Sequence, residues 1–228
     1  MEFLRLYIGT LKRVGLSLWV LTAIYNSLDQ FIAQEMEKGL RGPDGISSFV
    51  WFYGIFSMFV GIFFPVLLTI VALFGLSRQS GSPRSWSDFA LKNGNQLAIE
   101  TLRSWGKILL SGLFFILPGL YRLLMYAFVP FVVVFSKRYE LGQIDALQFS
   151  TELIKKHWAK VLVTILGFHI LLPLSLSSLI DDYKILWITP FASLGISLFD
   201  ALIWVMASQI LYQISTRLLK EASDEFAF

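Results

Sequence analysis

Residues 109–160, LLSGLFFILPGLYRLLMYAFVPFVVVFSKRYELGQIDALQFSTELIKKHWAK, decide the class of this fold. An apolar run is broken at Leu117-Pro118-Gly119, a second apolar run follows to Ser136, and a charged segment then extends to Lys160. Pro beside Gly marks a turn, so Pro118 and Gly119 form the predicted corner between two apolar passes. In the charged foot, Asp145, Gln148, Glu152 and Lys155 recur at three- and four-residue spacing, and Ile144, Leu147, Ile154 and Trp158 fall on the opposite side. That is the period of an amphipathic helix lying at a membrane interface. The stretch therefore predicts a membrane hairpin with a cytoplasmic foot.

Composition points the same way. The chain has 228 residues, 56% hydrophobic and 15% charged, with a mean hydropathy of +0.66, which does not fit a soluble domain. A helix needs about 20 apolar residues to cross a hydrocarbon core of about 30 Å, so the apolar length supplies about five or six crossings. The chain contains no cysteine, which excludes disulfides, thiol catalysis and cysteine metal sites. A net charge of +3, with its cations at the ends of apolar runs, offers no concentrated surface for nucleic acid. With only two histidines, His157 and His169, no cysteine and no Gly-x-Ser-x-Gly, zinc spacing or phosphate-cradling loop, neither a cofactor nor a metal is expected, and an enzyme is the least supported class.

Working outward, predicted spans cover 14–33, 49–76, 106–119, 120–136, 161–180 and 185–216 within one integral membrane domain, 1–228. The run from Phe49 to Leu76 carries no charge and contains Pro65, so tilt, a kink or an interfacial end is expected. The opening Met1-Glu2-Phe3-Leu4-Arg5 lacks a small-residue cleavage pattern, which predicts an uncleaved first helix, with residues 1–13 at the surface. Ser85 and Asp88 are placed to cap a surface helix that runs toward Trp105. Ile108 to Tyr121 is short for a span. It crosses as a tilted pair if the preceding helix continues into it or Arg122 snorkels to the outer interface, and is otherwise re-entrant.

Segments 1–13, 78–107 and 137–160 are rich in Lys and Arg, whereas 34–47 and 181–184 are not. The positive-inside rule then sets both termini in the cytoplasm. The predicted fold is all-α: a polytopic helical bundle of about six transmembrane helices in three hairpins, with cytoplasmic amphipathic interfacial helices. A weak repeat, Ser104-Trp105-Gly106-Lys107 against His157-Trp158-Ala159-Lys160, fits repeated hairpins and equally fits ordinary Trp and Lys anchoring.

Asp200 is the sharpest polar feature, since a carboxylate inside a span faces protein or a water-filled cavity. Ser193, Ser197 and Ala201 make a small-residue row on its side of the helix, so Asp200 is expected to point at another helix, either as a structural tie or as a proton or substrate site. His169 is a candidate partner at similar depth, although Thr164 and Gly167 occupy another face of its helix. Asn26, Asp29 and Gln30 are expected at the outer interface. Arg122 is a third intramembrane candidate, as a phosphate ligand or an anchor. Trp105, Lys107, Lys155, Lys156, Trp158 and Lys160 are the expected interface anchors, suited to anionic head groups. Asp181-Asp182 reads as a solvated loop.

Leu117-Pro118-Gly119-Leu120-Tyr121-Arg122, Phe131-Val132-Val133-Val134, Gly142, Ala146-Leu147, Ser150 and Leu153-Ile154-Lys155 resemble the core pattern of a group of bacterial six-helix inner-membrane proteins. That group includes the uncharacterised YciC-like proteins and the membrane domain attached to some glycerophosphodiester phosphodiesterases. About 50 of the 228 residues carry the resemblance, and it departs at Lys156, where the pattern often has glycine. It implies a six-helix bundle of the bacterial inner membrane and no established activity; the phosphodiesterase residues belong to a separate domain and do not carry over. The function expected is a non-enzymatic membrane module, a scaffold engaging lipids, a protein partner or a second copy of itself. The alternative is a small transporter or permease subunit using Asp200.

Overall fold

The computed structural model describes residues 2–41, 48–77, 85–172, 174, 175, 178 and 190–225. Every regular element among them is helical: α1 Glu2–Leu40, α2 Ser48–Ser77, α3 Trp86–Phe114, α4 Ile116–Met125, α5 Val129–Phe135, α6 Lys137–Glu140, α7 Ala146–Ile165 continuing into a π-helical turn Leu166–Leu171, and α8 Pro190–Glu225. Three helical stretches are long and apolar enough to cross a membrane: Phe49–Ser77, Ile116–Phe135 and Leu194–Ala222. The predicted first span, 14–33, lies inside α1, which is one helix where the sequence predicts a surface segment followed by a span. Of the predicted 161–180 and 185–216, residues 173, 176, 177, 179, 180 and 185–189 lie outside the described residues, as does the acidic loop 181–184 between them.

Helices α1 and α2 form an antiparallel pair. Buried Thr10, Val14, Leu18 and Thr22 stand at four-residue spacing on α1, the stripe by which a helix packs. Gly75 lies against Val14, Tyr25 against Phe64 and Phe31 against Tyr53, so the contacts run in opposite order along the two helices. Trp51, Phe52, Met58, Phe59 and Phe63 of α2 point outward and are exposed. An exposed face this apolar is compatible with a helix that crosses a membrane.

The central hairpin forms, and its corner differs from the predicted one. Helix α3 starts at its predicted cap, where Ser85 Oγ accepts from the Asp88 N–H at 3.1 Å, and runs without a break through the surface segment into the apolar run. It ends at Phe115, whose backbone is extended (φ −155°, ψ 138°). Pro118 and Gly119 then fall inside α4. Pro118 is tolerated there because the N–H groups of a first helical turn have no intrahelical acceptor. Gly119 serves close packing: a Cβ on it would lie 2.9 Å from Gly112 Cα on α3. The return arm breaks again between α4 and α5, and the buried Ser150 hydroxyl donates to the Met125 carbonyl at 2.8 Å there.

The foot matches its periodicity. Asp145 caps α7, accepting from the N–H groups of Leu147 and Gln148 at 3.0 Å each, while Leu147 and Ile154 are buried and Gln148 bonds Glu152 on the exposed side. Gly142 precedes this cap at φ +69°, a left-handed conformation that glycine adopts without steric cost. The helix kinks at His157 (φ −136°, ψ 27°), which turns Trp158 outward and more than half exposed.

Candidate functional site

Asp200 faces another helix, and the partner is α1. The Asn26 amide donates to Asp200 Oδ2 at 2.7 Å and to Ser197 Oγ at 3.2 Å. On the same seam, Thr22 Oγ1 donates to the Ser197 carbonyl at 2.9 Å and Trp19 Nε1 to the Leu194 carbonyl at 3.1 Å. Ser197 and Ala201 of the predicted small-residue row are buried, which lets α1 approach closely; the side chain of Ser193 lies outside the described residues. His169 is in the π-helical turn and its side chain is likewise outside them.

Asp200 also opens onto a cavity of about 940 Å³ walled by α1, α2, α3, the α4–α5 arm, the π-helical turn and α8. Its lining includes the polar Tyr25, Asn26, Asp29, Gln30 and Asp200, with Thr101, Ser104 and Ser208 from other walls, and the apolar or aromatic Trp105, Phe131, Phe168, Ile203 and Trp204. A concave, mostly apolar space with a few convergent polar groups is the form of a small-molecule site. Asn26 and Asp29 are set there by helical spacing, since Thr22, Asn26, Asp29 and Ala33 all line the cavity and fall on one face at four-, three- and four-residue steps. Asn26, Asp29 and Gln30, expected near an outer interface at the far end of the predicted span 14–33, line this cavity, and α1 continues past that span to Leu40. Among the described residues lining the cavity there are two carboxylates and no Lys, Arg or His.

No family model matches this chain, no curated protein matches it, and no solved structure matches it.

A second polar cluster joins α3 to the foot. Arg103 Nη1 pairs with Asp145 Oδ2 and, at 3.4 Å, with Glu100 Oε2. The Tyr139 hydroxyl donates to Glu100 Oε1 at 3.3 Å, and Lys92 pairs with Glu140 at 3.0 Å. Burial, reinforced by the Glu100 carboxylate, pushes the Tyr139 hydroxyl up to about 12. Partial burial acts to raise the Asp145 carboxyl, but the capping N–H groups and Arg103 outweigh it and hold the carboxyl below the usual range. This cluster fixes α3 and α7 to each other.

The other predicted site residues separate by place. Arg122 is half-buried and donates from Nη1 to the Lys107 carbonyl at 3.1 Å, bridging the hairpin arms. Trp105 is half-buried in the cavity wall. Lys155, Lys156, Trp158 and Lys160 are exposed around the kink. Among the described residues no group of three or more His, Asp or Glu side chains could hold a metal ion.

Proposed function

We propose that this chain is a multi-pass protein of the bacterial inner membrane that binds an amphipathic small molecule in the Asp200 cavity and carries out no covalent chemistry on it. The supporting observation is the cavity of about 940 Å³, apolar along most of its wall and carrying Asn26, Asp29 and Asp200 in its lining. Two carboxylates without a basic neighbour in the described lining suit a head group that brings positive charge or hydrogen-bond donors, such as an ammonium on a lipid. Tyr25, Trp105 and Trp204 also line the cavity and add aromatic surface for an amphiphile.

Cytoplasmic termini belong to this proposal, with six spans if the central pair crosses and four if it turns back. The support is the loop charge asymmetry and the resemblance to the YciC-like group. Exposed Lys155, Lys156 and Lys160 beside Trp158 fit anionic lipids at the cytoplasmic face.

Purification in mild detergent followed by mass spectrometry of the bound fraction tests the reading. An amine-bearing amphiphile should accompany the wild-type chain, and Asp200→Asn and Ile203→Trp should both reduce it severalfold while the chain stays folded. Equal retention by all three chains overturns the cavity as its site.

A small transporter or permease subunit is the second reading, favoured by the same two carboxylates, because ionisable groups on a polar path within a membrane mark translocation routes. Sealed vesicles separate the two: binding without flux supports the first, and flux abolished by Asp200→Asn supports the second.

A further inference from the structure

The central hairpin ends in a finger of exposed apolar side chains. Leu113 is 82% exposed, Phe115 72% and Leu117 79%, and Leu110, Phe114, Ile116, Leu120 and Tyr121 are exposed around them. The charged layer at its base is set independently. Arg103 pairs with Asp145, Lys92 with Glu140, and both acids belong to the foot. Removing that many charges from water is prohibitive, so the layer stays at the aqueous interface.

Both arms can be measured from it. From Arg103 to Phe114 is 11 residues of one unbroken helix, about 16 Å at 1.5 Å per residue. The return arm, α4, has 10 residues, about 15 Å, and its end is held to the start of the foot by the Ser150 to Met125 bond. A hydrocarbon core is about 30 Å thick. The finger therefore reaches about half way.

We infer that α3 and α4 form a re-entrant hairpin that enters one leaflet from the cytoplasmic side and turns at Phe115 near the bilayer midplane. Its partner is the acyl region of that leaflet. Charge is compatible with the assignment: the Arg122 guanidinium bonds the Lys107 backbone carbonyl across the arms below the tip, and Lys107 lines a recess of about 330 Å³ beside the base together with the Arg103–Asp145 pair, at the level where lipid head groups lie. Although Ile116–Phe135 is long enough to span by composition, its helical ladder stops at Met125 and restarts at Val129. It is one finger arm joined to a buried core segment. A hairpin of this kind returns the chain to the side it came from, so the termini stay on one side.

The proposal rests on the membrane reading of the chain, and one set of variants tests both. The chain has no cysteine, so Phe115→Cys, Leu113→Cys and Asn95→Cys each give a unique label site. After an alkaline wash, full-length variants should stay with the membranes; release overturns the membrane reading and the hairpin with it. In retained protein, the thiol at position 95 should react with an impermeant maleimide from the cytoplasmic side only, and the thiols at positions 113 and 115 from neither side until detergent is added. A fluorophore attached at position 115 should be quenched most strongly by phospholipids brominated near the acyl chain ends. Reaction at position 113 or 115 from the outer side means a full crossing, and reaction there from the cytoplasmic side means a finger in water; each overturns the hairpin alone.

Discussion

Gly119 meets Gly112 backbone to backbone: a Cβ on Gly119 would lie 2.9 Å from Gly112 Cα, whereas a Cβ on Gly112 would meet nothing within 4 Å. Two facing glycines are thus unequal. Gly119→Ala has to push the hairpin arms apart, and overpacking of this kind costs about 1–3 kcal/mol. Gly112→Ala adds helix propensity at an open position and should be neutral or slightly stabilising. Thermal unfolding in detergent should rank the chains Gly112→Ala at or above wild type and Gly119→Ala clearly below it. Equal midpoints would show that the arms do not make this approach.

How much of this is legible in the sequence differs from element to element. Ser85 and the Asp145 foot are readable because a cap and a 3.6-residue period are local properties. The corner predicted at Pro118-Gly119 lies instead at Phe115, because Pro suits the first turn of a helix as well as a bend and because glycine can serve close approach as well as a turn. Asp200 is found through cost, since a charge within a span stands out. Its partner Asn26 is not, because a pair 174 residues apart is a product of tertiary packing that no spacing records. A signal does exist: Thr22, Asn26, Asp29 and Ala33 form a small and polar stripe on α1 that matches the Ser197, Asp200 and Ala201 face of α8.

Asp145 has two roles that substitutions separate. Asp145→Asn keeps an oxygen for the N–H groups of Leu147 and Gln148 and loses the charge toward Arg103, a partly exposed pair worth under about 1 kcal/mol. Asp145→Ala loses the cap too, a further cost of about 0.5–2 kcal/mol. The pH dependence follows from the lowered carboxyl. Its contribution is complete above the unfolded value near about 3.9 and is lost as pH falls through the lower folded value, so wild type should lose stability below about pH 4. Asp145→Asn should lack that component. Unfolding midpoints from about pH 6 down to about pH 2.5 bracket that loss and check both statements.

Tyr139 sets the alkaline limit of the same cluster. With its hydroxyl pushed up to about 12 by burial and by Glu100, the folded state holds the phenolic proton more tightly than the unfolded chain does. The stabilisation is present in full below the unfolded value of about 10 and disappears as pH rises through about 12. Ultraviolet titration should show a tyrosine ionising about two pH units late, and Tyr139→Phe should remove that step. A Tyr139→Phe profile superimposable on wild type above about pH 10 would place the late tyrosine elsewhere.

The Asn26–Asp200 pair is where structure and proposed function meet, and a double-mutant cycle can apportion them. Asn26 is the one side-chain donor to the Asp200 carboxylate among the described residues. Replacing it by Leu leaves a half-buried carboxylate facing an apolar group, a loss of about 1–3 kcal/mol. Replacing both residues by Leu removes donor and acceptor together and should cost less than the sum of the single changes, because neither group is then left unsatisfied. Unfolding midpoints of the four chains give that coupling energy. Ligand retention should follow a different pattern: Asn26→Leu keeps the carboxylate and should retain the amphiphile better than Asp200→Leu, whereas the double variant should lose the ligand while recovering stability. If retention instead tracks stability across all four chains, Asp200 acts as a tie between α1 and α8 and not as a ligand-binding group.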